Sequence, residues 1–366
     1  TPSRQALYRK YKVKLARGES VETALAKLQD NPDVEKAYPN YLRRAFYTPT
    51  DPLYGEQWAH QNTDIEEAWD ITKGDTNVII AILDTGVDYT HPDLAPNIWH
   101  DASGNPGADF VDIDIDEYTQ NGYRLYDGED CTIEDDDPMD TDGHGTHCAG
   151  IAAAADNGIG VVGVAPGCKI MPVRIGFKIW LPTGLSGGLM EDDDIAKGIL
   201  YAVDNGASVI SMSFGGYSGM GEFEDEIAAA REAGVILVAA AGNSATIQLA
   251  YPASADGVLA VGASGQNDER TEYSNFGCYV DVYAPGGEYY SPIFSTVPTS
   301  KEPSGYSGMY GTSMAAPYVA GLAALLRSQY PDLSTEEIMD RIKFLSDDTG
   351  LSNPSCSNTA GLINAA

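Results

Sequence analysis

The sequence predicts an α/β fold, with helices on both faces of a doubly wound, mostly parallel sheet. The first observation is a set of continuous apolar runs, which are typical of strands buried on both faces. The second is a pair of amphipathic segments between these runs, at 192–204 and 222–233, which predict helices packed on the sheet. The apolar runs cover residues 77–83, 207–214, 235–241 and 258–261.

The first 46 residues have a different pattern. The segment 21–28 has helical spacing, with Ser20 as a possible N-cap, and the flanking segments 11–15 and 34–38 read as strands. We expect a small α+β segment that needs a partner to stay folded, because about 45 residues make a thin core. A stretch with Pro and Thr at 47–52 reads as the linker to the larger domain.

The chain is strongly acidic, with 54 acidic and 22 basic residues and a net charge of −32. Residues 1–46 carry a net charge of +5, so the rest of the chain carries −37. Such a surface repels nucleic acid and anionic membranes, which we therefore exclude as partners. Metal cations and the basic segment itself are the expected partners. No apolar run reaches the length of about 18 residues that a membrane-spanning helix requires.

Polar residues follow directly on three of the predicted strands. Asp84 ends the first run, Ser213–Gly216 lie at the end of the second, and Gly242 and Asn243 follow the third. In open α/β sheets, ligands bind at the carboxyl ends of the strands. The sequence therefore predicts an active site at this edge of the sheet.

Two of the motifs are ambiguous by themselves. The triplet Asp84–Gly86 resembles half of an aspartic-protease site, but that chemistry needs two carboxylates and the chain has one such triplet; a turn-capping aspartate is the alternative. His144 and His147 could be metal ligands or structural residues, although the neighbouring sequence does not suggest a zinc set. His144 stands between two glycines at the start of a predicted helix, which makes it accessible.

The segment 311–317 carries the strongest signal. Ser313 precedes an apolar helix predicted over 315–326, where exposed backbone N–H groups favour negative charge. That environment suits an oxyanion, although N-capping is the commoner role of such a serine. Asn243 offers an amide donor of the same kind at the end of a strand.

Together these motifs resemble those of the subtilisin-like serine proteases, in particular the thermitase- and fervidolysin-like members. The order Asp…His…Ser is that of the family, and the likeness covers about residues 50–366. Further matching segments are His91–Leu94, Gly160–Pro166 and Ser211–Gly216. One position departs from the family pattern, because Tyr318 stands where a histidine is usual.

The resemblance implies a mechanism and the roles of four residues. Ser313 would attack the peptide carbonyl, His144 would take and return the proton, and Asp84 would orient His144. Asn243 would bind the oxyanion together with the Ser313 N–H. Two other readings stay open: a catalytically silent binding protein that keeps the fold, and a metal-dependent hydrolase that uses His144, His147 and the acidic loop.

The resemblance also implies a substrate-binding surface. An extended peptide would pair with an edge strand. Its P1 side chain would enter a pocket of small residues, which favours a large apolar or aromatic side chain. The acidic run 191–194 beside the edge either favours basic substrate residues or charge-caps a helix. The edge is formed by Gly188, Leu189 and Met190, and the pocket by Ser213, Phe214, Gly215, Gly216, Ala240, Ala241 and Gly242, with Ala250 near its base.

Calcium is the expected cofactor, because residues 109–142 contain fourteen acidic side chains and one basic side chain. A solvated loop is the alternative. The family's strong site is matched by Asp51, Asp93, Asn157 and the carbonyls of Ala155, Ile159 and Val161. A second site of thermitase-like members is matched by Asp109, Asp112 and Asp114. We add the hypothesis of a further site at Asp135, Asp137 and Asp140.

The resemblance implies that residues 1–46 are part of a propeptide, which acts as chaperone and inhibitor, and that residues 47–366 form the catalytic domain. Self-cleavage is expected between Arg44 and Thr50. We expect a secreted monomer that acts on proteins and peptides.

Five cysteines fit an exported protein with two disulfides and one free thiol. Cys148 lies on a helix that should be buried, so we expect it to be the free thiol. Cys131–Cys168 and Cys278–Cys356 are then the predicted pairs.

Overall fold

A computed structural model describes residues 11–15, 19–39, 47–184, 186–219, 221–346 and 360–365. The chain divides into two compact units, Thr1–Phe46 and Tyr47–Ala366. The two units are described separately.

The described part of the first unit contains one helix, α1 (Val21–Gln29). The side chain of Ser20 caps it by accepting a hydrogen bond from the Thr23 N–H at 3.2 Å, which confirms the predicted helix and its cap. The prediction of strands at 11–15 and 34–38 is wrong, because neither segment pairs with another strand among the described residues. Residues 11–14 are exposed, so their alternation of apolar and polar side chains has no core to face.

The second unit is built on a sheet of eight strands, in the order β13-β10-β9-β8-β7-β1-β4-β2. Every pair in this sheet is parallel, which confirms the predicted fold class. Two smaller sheets join β11 with β12 and β3 with β5 and β6. The strands are β1 (Ile79–Asp84), β2 (Ala108–Asp109), β3 (Arg124–Leu125), β4 (Lys169–Arg174), β5 (Gly176–Trp180), β6 (Ser186–Met190), β7 (Val209–Met212), β8 (Ile236–Ala240), β9 (Val258–Ser264), β10 (Val282–Pro285), β11 (Ile293–Thr296), β12 (Tyr306–Met309) and β13 (Gly361–Leu362).

Eight α-helices of the second unit lie within the described residues. The predicted helices at 192–204 and 222–233 correspond to α6 and α7, and the run at 315–326 lies inside the longer α8. None of the described helices is long and apolar enough to cross a membrane. The helices are α2 (Trp58–Asn62), α3 (Ile65–Trp69), α4 (Ile115–Gln120), α5 (His144–Ala153), α6 (Asp192–Asp204), α7 (Glu224–Glu232), α8 (Thr312–Gln329) and α9 (Thr335–Leu345).

Successive strand residues point to opposite sides of the sheet, and both sides are buried. Ile80 and Ile82 of β1 belong to the core that includes residues of α5, α8 and α9. Ala81 and Leu83 belong to the opposite core, with residues of α6 and α7. Burying each Ile or Leu side chain stabilises the fold by about 1.5–3 kcal/mol. This two-sided burial explains why the strands read as continuous apolar runs.

The strand ends that carry the polar residues are aligned. Leu83 of β1 is paired with Met212 of β7, and Met212 is paired with Ala239 of β8. The residues that follow these strands therefore meet at the same edge of the sheet, as the sequence predicts.

The predicted Cys131–Cys168 disulfide is wrong. Cys131, Cys148 and Cys168 are free and buried. Cys131 packs in a small cluster with Phe177, whereas Cys168 belongs to the main core, so the two thiols lie in different parts of the protein. Cys278 is disulfide-bonded, but its predicted partner Cys356 lies outside the described residues, and that pairing stays a prediction.

Candidate active site

Asp84 and His144 form a direct hydrogen bond at the carboxyl edge of the sheet. Asp84 is the last residue of β1 and is fully buried, and His144 is the first residue of α5. His144 Nδ1 lies 2.7 Å from Asp84 Oδ1. Burial alone would lower the pKa of His144, but the adjacent Asp84 carboxylate, together with Cys148, holds that pKa well above its usual value. The carboxylate therefore stabilises the imidazolium form.

Ser313 lies in the first turn of α8 and is held by two hydrogen bonds with Ser213. The Ser313 hydroxyl donates to the Ser213 carbonyl at 3.0 Å, and the Ser213 hydroxyl donates to the Ser313 carbonyl at 2.9 Å. The Cys148 thiol lies beside both catalytic groups, 3.4 Å from the Ser313 carbonyl and 4.0 Å from His144 Nδ1. Burial raises the pKa of this thiol, which keeps it protonated.

Two hydrogen-bond donors border the space next to Ser313. A β-carbon placed on Gly311 would lie 3.4 Å from Asn243 Nδ2 and 3.7 Å from the Ser313 nitrogen. Asn243 Oδ1 accepts hydrogen bonds from the Thr312 N–H at 2.9 Å and from the Thr312 hydroxyl at 3.0 Å. These two bonds fix the orientation of the amide, so its NH₂ group and the Ser313 N–H can act together on an oxyanion.

The turn that leads into α5 is organised by Asp140. Its carboxylate accepts hydrogen bonds from five donors: the Thr85 hydroxyl, the N–H groups of Asp142, Gly143 and Thr146, and the Thr146 hydroxyl. Both oxygens are thus occupied by protein donors. This argues against the hypothesis that Asp140 binds calcium and gives it a positioning role at the start of the histidine helix.

The predicted pocket residues come together beside Ser313. Gly216 and Tyr251 exchange two backbone hydrogen bonds of 2.9 Å, which joins the segment after β7 to the segment that begins at Ala250. A β-carbon on Gly215 would lie 3.0 Å from the Tyr251 carbonyl and 3.9 Å from the Ala240 carbonyl. Small residues are therefore required here, because the backbones are close. The pocket set comprises Ser213, Phe214, Gly215, Gly216, Ala240, Ala241, Gly242 and Ala250.

The predicted substrate edge is strand β6, which pairs with β5 on one side. Within the described residues no strand pairs with its other side. A β-carbon on Gly188 would lie 3.3 Å from Thr85 Cγ2, which places this glycine next to the residue that follows Asp84. Leu189 and Met190 follow Gly188 to the end of the strand. An extended chain can therefore pair with β6 beside the catalytic groups.

The first predicted calcium set fits a cation. Asp51 and Asp93 are both buried, and each has one carboxylate oxygen without a hydrogen-bond partner in the described part of the chain. The other oxygens are held by backbone N–H groups, with Asp51 Oδ1 3.1 Å from the Gly158 nitrogen and Asp93 Oδ2 2.8 Å from the Val161 nitrogen. Burial raises the pKa of Asp93 to about 6, and the charge of Asp51 adds to this. The remaining members of the set, Ala155, Asn157 and Ile159, lie in the loop that contains Gly158.

The structure does not bring Asp109, Asp112 and Asp114 together. Asp109 forms a buried ion pair with Arg174, and Arg174 also lies 2.8 Å from Glu129. Asp114 is the N-cap of α4. Asp112 is exposed. The carboxylates of this set are therefore engaged separately.

The additional set of Asp135, Asp137 and Asp140 is not assembled either. Asp135 Oδ1 accepts a hydrogen bond from the Asp137 N–H at 2.7 Å, and Asp137 Oδ1 accepts one from the Tyr89 hydroxyl at 3.0 Å. Within the described residues, the groups of three side chains that could hold a metal do not include this trio.

The reading of His144 and His147 as a metal pair is not supported. His147 Nε2 lies 3.1 Å from the Ile293 carbonyl and 3.2 Å from the Ser307 carbonyl. The ring is fully buried, and burial lowers its pKa to about 3. His147 is therefore a neutral core residue that donates to backbone carbonyls.

Sequence reasoning missed several residues that hold the site. Thr312 stands in the serine motif, and its buried hydroxyl also accepts a hydrogen bond from the Gly242 N–H at 3.1 Å. Asn275 belongs to none of the sequence motifs, although its side chain donates to the Ala241 carbonyl at 2.8 Å and accepts from the Ser244 N–H at 3.0 Å. Tyr318 points into the core, where its hydroxyl lies 2.7 Å from the Thr63 hydroxyl. No local pattern reveals partners so distant in sequence.

Comparison with known proteins agrees with this geometry. Residues 75–361 match the sequence model of the Subtilase family. The chain is 44% identical over 312 residues to the thermophilic serine proteinase of Bacillus sp. (strain AK1), covering 85% of this chain and 67% of the relative. It is 40% identical over 285 residues to thermitase of Thermoactinomyces vulgaris, covering 77% of this chain and 86% of the relative.

A solved structure is similar as well. It is described as proteases from Pseudoalteromonas arctica PAMC 21717 and superposes with a TM-score of 0.72 at 32% sequence identity. The similarity covers 87% of this chain and 98% of the other. This agreement in sequence and fold, together with the paired Asp84 and His144 beside Ser313, shows that the chain is a subtilisin-type serine protease and belongs to the thermitase-like part of the subtilase family.

Proposed function

We propose that the chain is a secreted, calcium-stabilised endopeptidase that is made as a zymogen and cleaves peptide bonds through an acyl-enzyme at Ser313. The observation that carries the proposal is the position of two donors, Asn243 Nδ2 and the Ser313 N–H, which lie 3.4 and 3.7 Å from one point beside Gly311. A carbonyl oxygen placed there gains negative charge during attack, and fixed donors stabilise that charge more than they stabilise the ground state.

The mechanism follows from the hydrogen bonds of the three catalytic side chains. The Ser313 hydroxyl leaves the Ser213 carbonyl and gives its proton to His144 as Ser313 Oγ attacks the substrate carbonyl carbon. The imidazolium is stabilised by Asp84 and then protonates the leaving amine, which releases the first product and leaves an ester on Ser313. Water, deprotonated by His144, attacks this ester, and the proton returns to Ser313.

The pocket favours a large apolar or aromatic P1 side chain. Six of its eight residues are glycine or alanine, and Ala240, Ala241 and Ala250 are buried. Small side chains leave volume for the substrate and present no charge to it. Substrate main chain would pair with the free side of β6, so affinity comes from backbone hydrogen bonds and selectivity from the pocket.

Calcium would bind at Asp51 and Asp93, with Asn157 and the carbonyls of Ala155, Ile159 and Val161 as further oxygen ligands. The ion would neutralise the two buried carboxylates, each of which has an oxygen without a hydrogen-bond partner in the described residues. Its role is structural. A protein that needs calcium in this way suits the calcium-rich space outside the cell, and the disulfide-bonded Cys278 suits an oxidising compartment.

Residues 1–46 would act as an inhibitory propeptide that is removed by self-cleavage between Arg44 and Thr50. The opposite charges of the two segments, +5 and −37, support this pairing. We expect the mature enzyme to act as a monomer on protein and peptide substrates.

The proposal is tested by labelling the protein with a fluorophosphonate probe in calcium, after mild heating to release the propeptide. We expect one label, located by mass spectrometry on the peptide that contains Ser313, and none in Ser313→Ala. Absence of label in folded protein that has lost its propeptide would instead favour a silent binding protein. N-terminal sequencing of the matured enzyme identifies the cleaved bond.

A further inference from the structure

Three carboxylates meet at a place away from the active site. Asp112 lies in the loop after β2, and Asp193 and Asp194 lie in the first turn of α6. One carboxylate oxygen from each lies within 4.8 Å of the other two. Asp112 and Asp193 are exposed, but Asp194 is fully buried. Burial of one member distinguishes this group from an ordinary acidic surface.

Asp194 is the unusual member. Neither of its carboxylate oxygens has a hydrogen-bond partner among the residues that the structure describes. A buried carboxylate in this state is costly unless a cation compensates it. Burial first, and then the charge of Asp193, raise the pKa of Asp194 to about 7. The fold therefore keeps an acidic group at a position where the described residues form no hydrogen bond with it.

Among the described residues, one cation lies here, the ammonium of Lys197. Its Nζ lies 3.5 Å from Asp194 Oδ1, 3.1 Å from Asp193 Oδ2 and 3.9 Å from Asp112 Oδ1. Its shortest contact, 2.8 Å, is with Glu134 instead. A single positive charge is thus shared among four carboxylates, and its distance to Asp194 is longer than the 2.7–2.9 Å or so of a charge-assisted hydrogen bond. A net negative charge remains at the cluster.

We propose that Asp112, Asp193 and Asp194 form a binding site for a divalent cation of the calcium type. All three ligands are hard carboxylate oxygens, which calcium prefers. Oxygens on opposite sides of a calcium ion lie up to about 5 Å apart, given metal–oxygen distances of about 2.3–2.6 Å. The three oxygens already satisfy this limit. The Lys197 side chain is 36% exposed and already contacts Glu134 at 2.8 Å, so its ammonium can stay with Glu134 when the ion enters.

The site connects two parts of the molecule that matter for substrate binding. Asp112 belongs to the loop that precedes α4, and Tyr118 of α4 donates a hydrogen bond to Glu191 at 2.7 Å. Glu191 separates β6 from α6. An ion held at Asp193 and Asp194 would therefore fix the start of α6 and, through Glu191, the end of the proposed substrate edge. The residues differ from those at Asp51 and Asp93, so the two sites can be separated by mutation.

The test is calorimetric titration of calcium-free protein with calcium, in a full-length Ser313→Ala background that prevents self-digestion. We expect Asp194→Asn to lose one bound calcium per chain, or to bind it at least about tenfold more weakly, because ligand charge sets calcium affinity. Asp225→Asn, an exposed residue in the first turn of α7, is the matched control and should bind like the parent. Asp51→Asn should lose a different calcium, so the double variant Asp51→Asn/Asp194→Asn should lose both.

Lys197→Met gives an independent result. Removing the competing ammonium should tighten the same calcium site by about tenfold, given the strength of a charge pair near a protein surface. If Lys197 is the sole cation of the cluster, this variant gains no calcium affinity. Unchanged stoichiometry and affinity in both Asp194→Asn and Lys197→Met would overturn the proposal. Should Asp194→Asn fail to fold, as judged by circular dichroism, an unchanged Lys197→Met titration would overturn it alone.

Discussion

Two regions of the larger unit each bury a pair of carboxylates, and they compensate the charge in different ways. In the active-site turn, Asp84 Oδ1 is hydrogen-bonded to His144 while Asp84 Oδ2 has no hydrogen-bond partner in the described residues, and Asp140 accepts five hydrogen bonds. In the loop region, Asp51 and Asp93 each keep one oxygen without a hydrogen-bond partner in the described residues. All four side chains are at most 4% exposed, so burial does not distinguish them.

The difference shows that the role of a buried carboxylate depends on its hydrogen-bond and charge partners and not on burial alone. Asp84 faces a group that can be charged, so it acts on proton transfer. Asp140 faces only neutral donors, so it holds a turn. The charge of Asp51 raises the pKa of Asp93, and the proposed calcium ion would neutralise that repulsion.

The largest expected effect comes from Asp84. Asp84→Asn removes the anion that stabilises the His144 imidazolium, and we expect kcat to fall by about 10⁴-fold, as for the loss of an orienting aspartate in other catalytic triads. Peptide hydrolysis is the measurement, and Asp127→Asn, an exposed acidic residue, is the control that should keep its rate. A loss smaller than tenfold would contradict the assigned role.

The same variant also tests the pKa of His144. His144 must be neutral to accept a proton, and Asp84 raises its pKa. In Asp84→Asn that pKa falls, so the residual activity should persist to lower pH than in the parent enzyme. If the acid limb of the pH–activity profile does not shift in Asp84→Asn, a group other than His144 limits the rate at low pH.

Asp140→Asn should destabilise the fold by about 3 kcal/mol, because the introduced NH₂ group faces donors and leaves some of them unsatisfied. Denaturant unfolding measures this loss. The number of bound calcium ions should not change, since the protein itself occupies both carboxylate oxygens. If this variant binds one calcium ion fewer, Asp140 is a calcium ligand, and the two regions do not differ in the way described above.

Removal of calcium should destabilise the region around Asp51 and Asp93. At a calcium concentration of about 100 Kd, binding stabilises the folded state by about 2.7 kcal/mol, so chelation should lower Tm measurably. Asp93→Asn should respond less to calcium and should be more stable than the parent in chelator, because it removes a buried charge. Equal responses of parent and variant would place the stabilising ion elsewhere.

Much of this could be predicted from the sequence where the signal is local. The apolar run that ends at Asp84 identified both a buried strand and the position of its carboxylate at the sheet edge. Ser20 followed by helical spacing gave α1 and its cap. Such features depend on neighbours in the chain, which the sequence displays directly.

Features that depend on distant partners were not predictable. Asp109 matches a calcium ligand of thermitase-like proteases, but its carboxylate forms an ion pair with Arg174, which is 65 residues away and buried. The sequence predicts a disulfide between Cys131 and Cys168, yet the two residues pack in different hydrophobic clusters. The segments 11–15 and 34–38 read as strands, but neither joins a sheet in the described residues. In each of these three cases, contacts with residues distant in sequence determine the structure, and the local sequence does not show those contacts.

A further prediction, confined to acidic pH, concerns His147, one turn from His144 in the same helix. Its folded pKa is lowered to about 3 by burial first and then by the charge of His144, whereas the unfolded value is 6.5. The unfolded chain therefore binds the proton first as pH falls, and stability is lost between pH 6.5 and about 3, by up to about 1.4 kcal/mol per pH unit.

His147→Gln keeps a donor for the Ile293 carbonyl but cannot titrate, so its unfolding free energy should depend less on pH in this range. Urea unfolding at a series of pH values measures the slope, with exposed His100→Gln as the control. If His147→Gln and the parent have the same slope, the buried imidazole is protonated in the folded state, and the active-site helix then holds a second charge that Asp84 and Asp140 do not compensate.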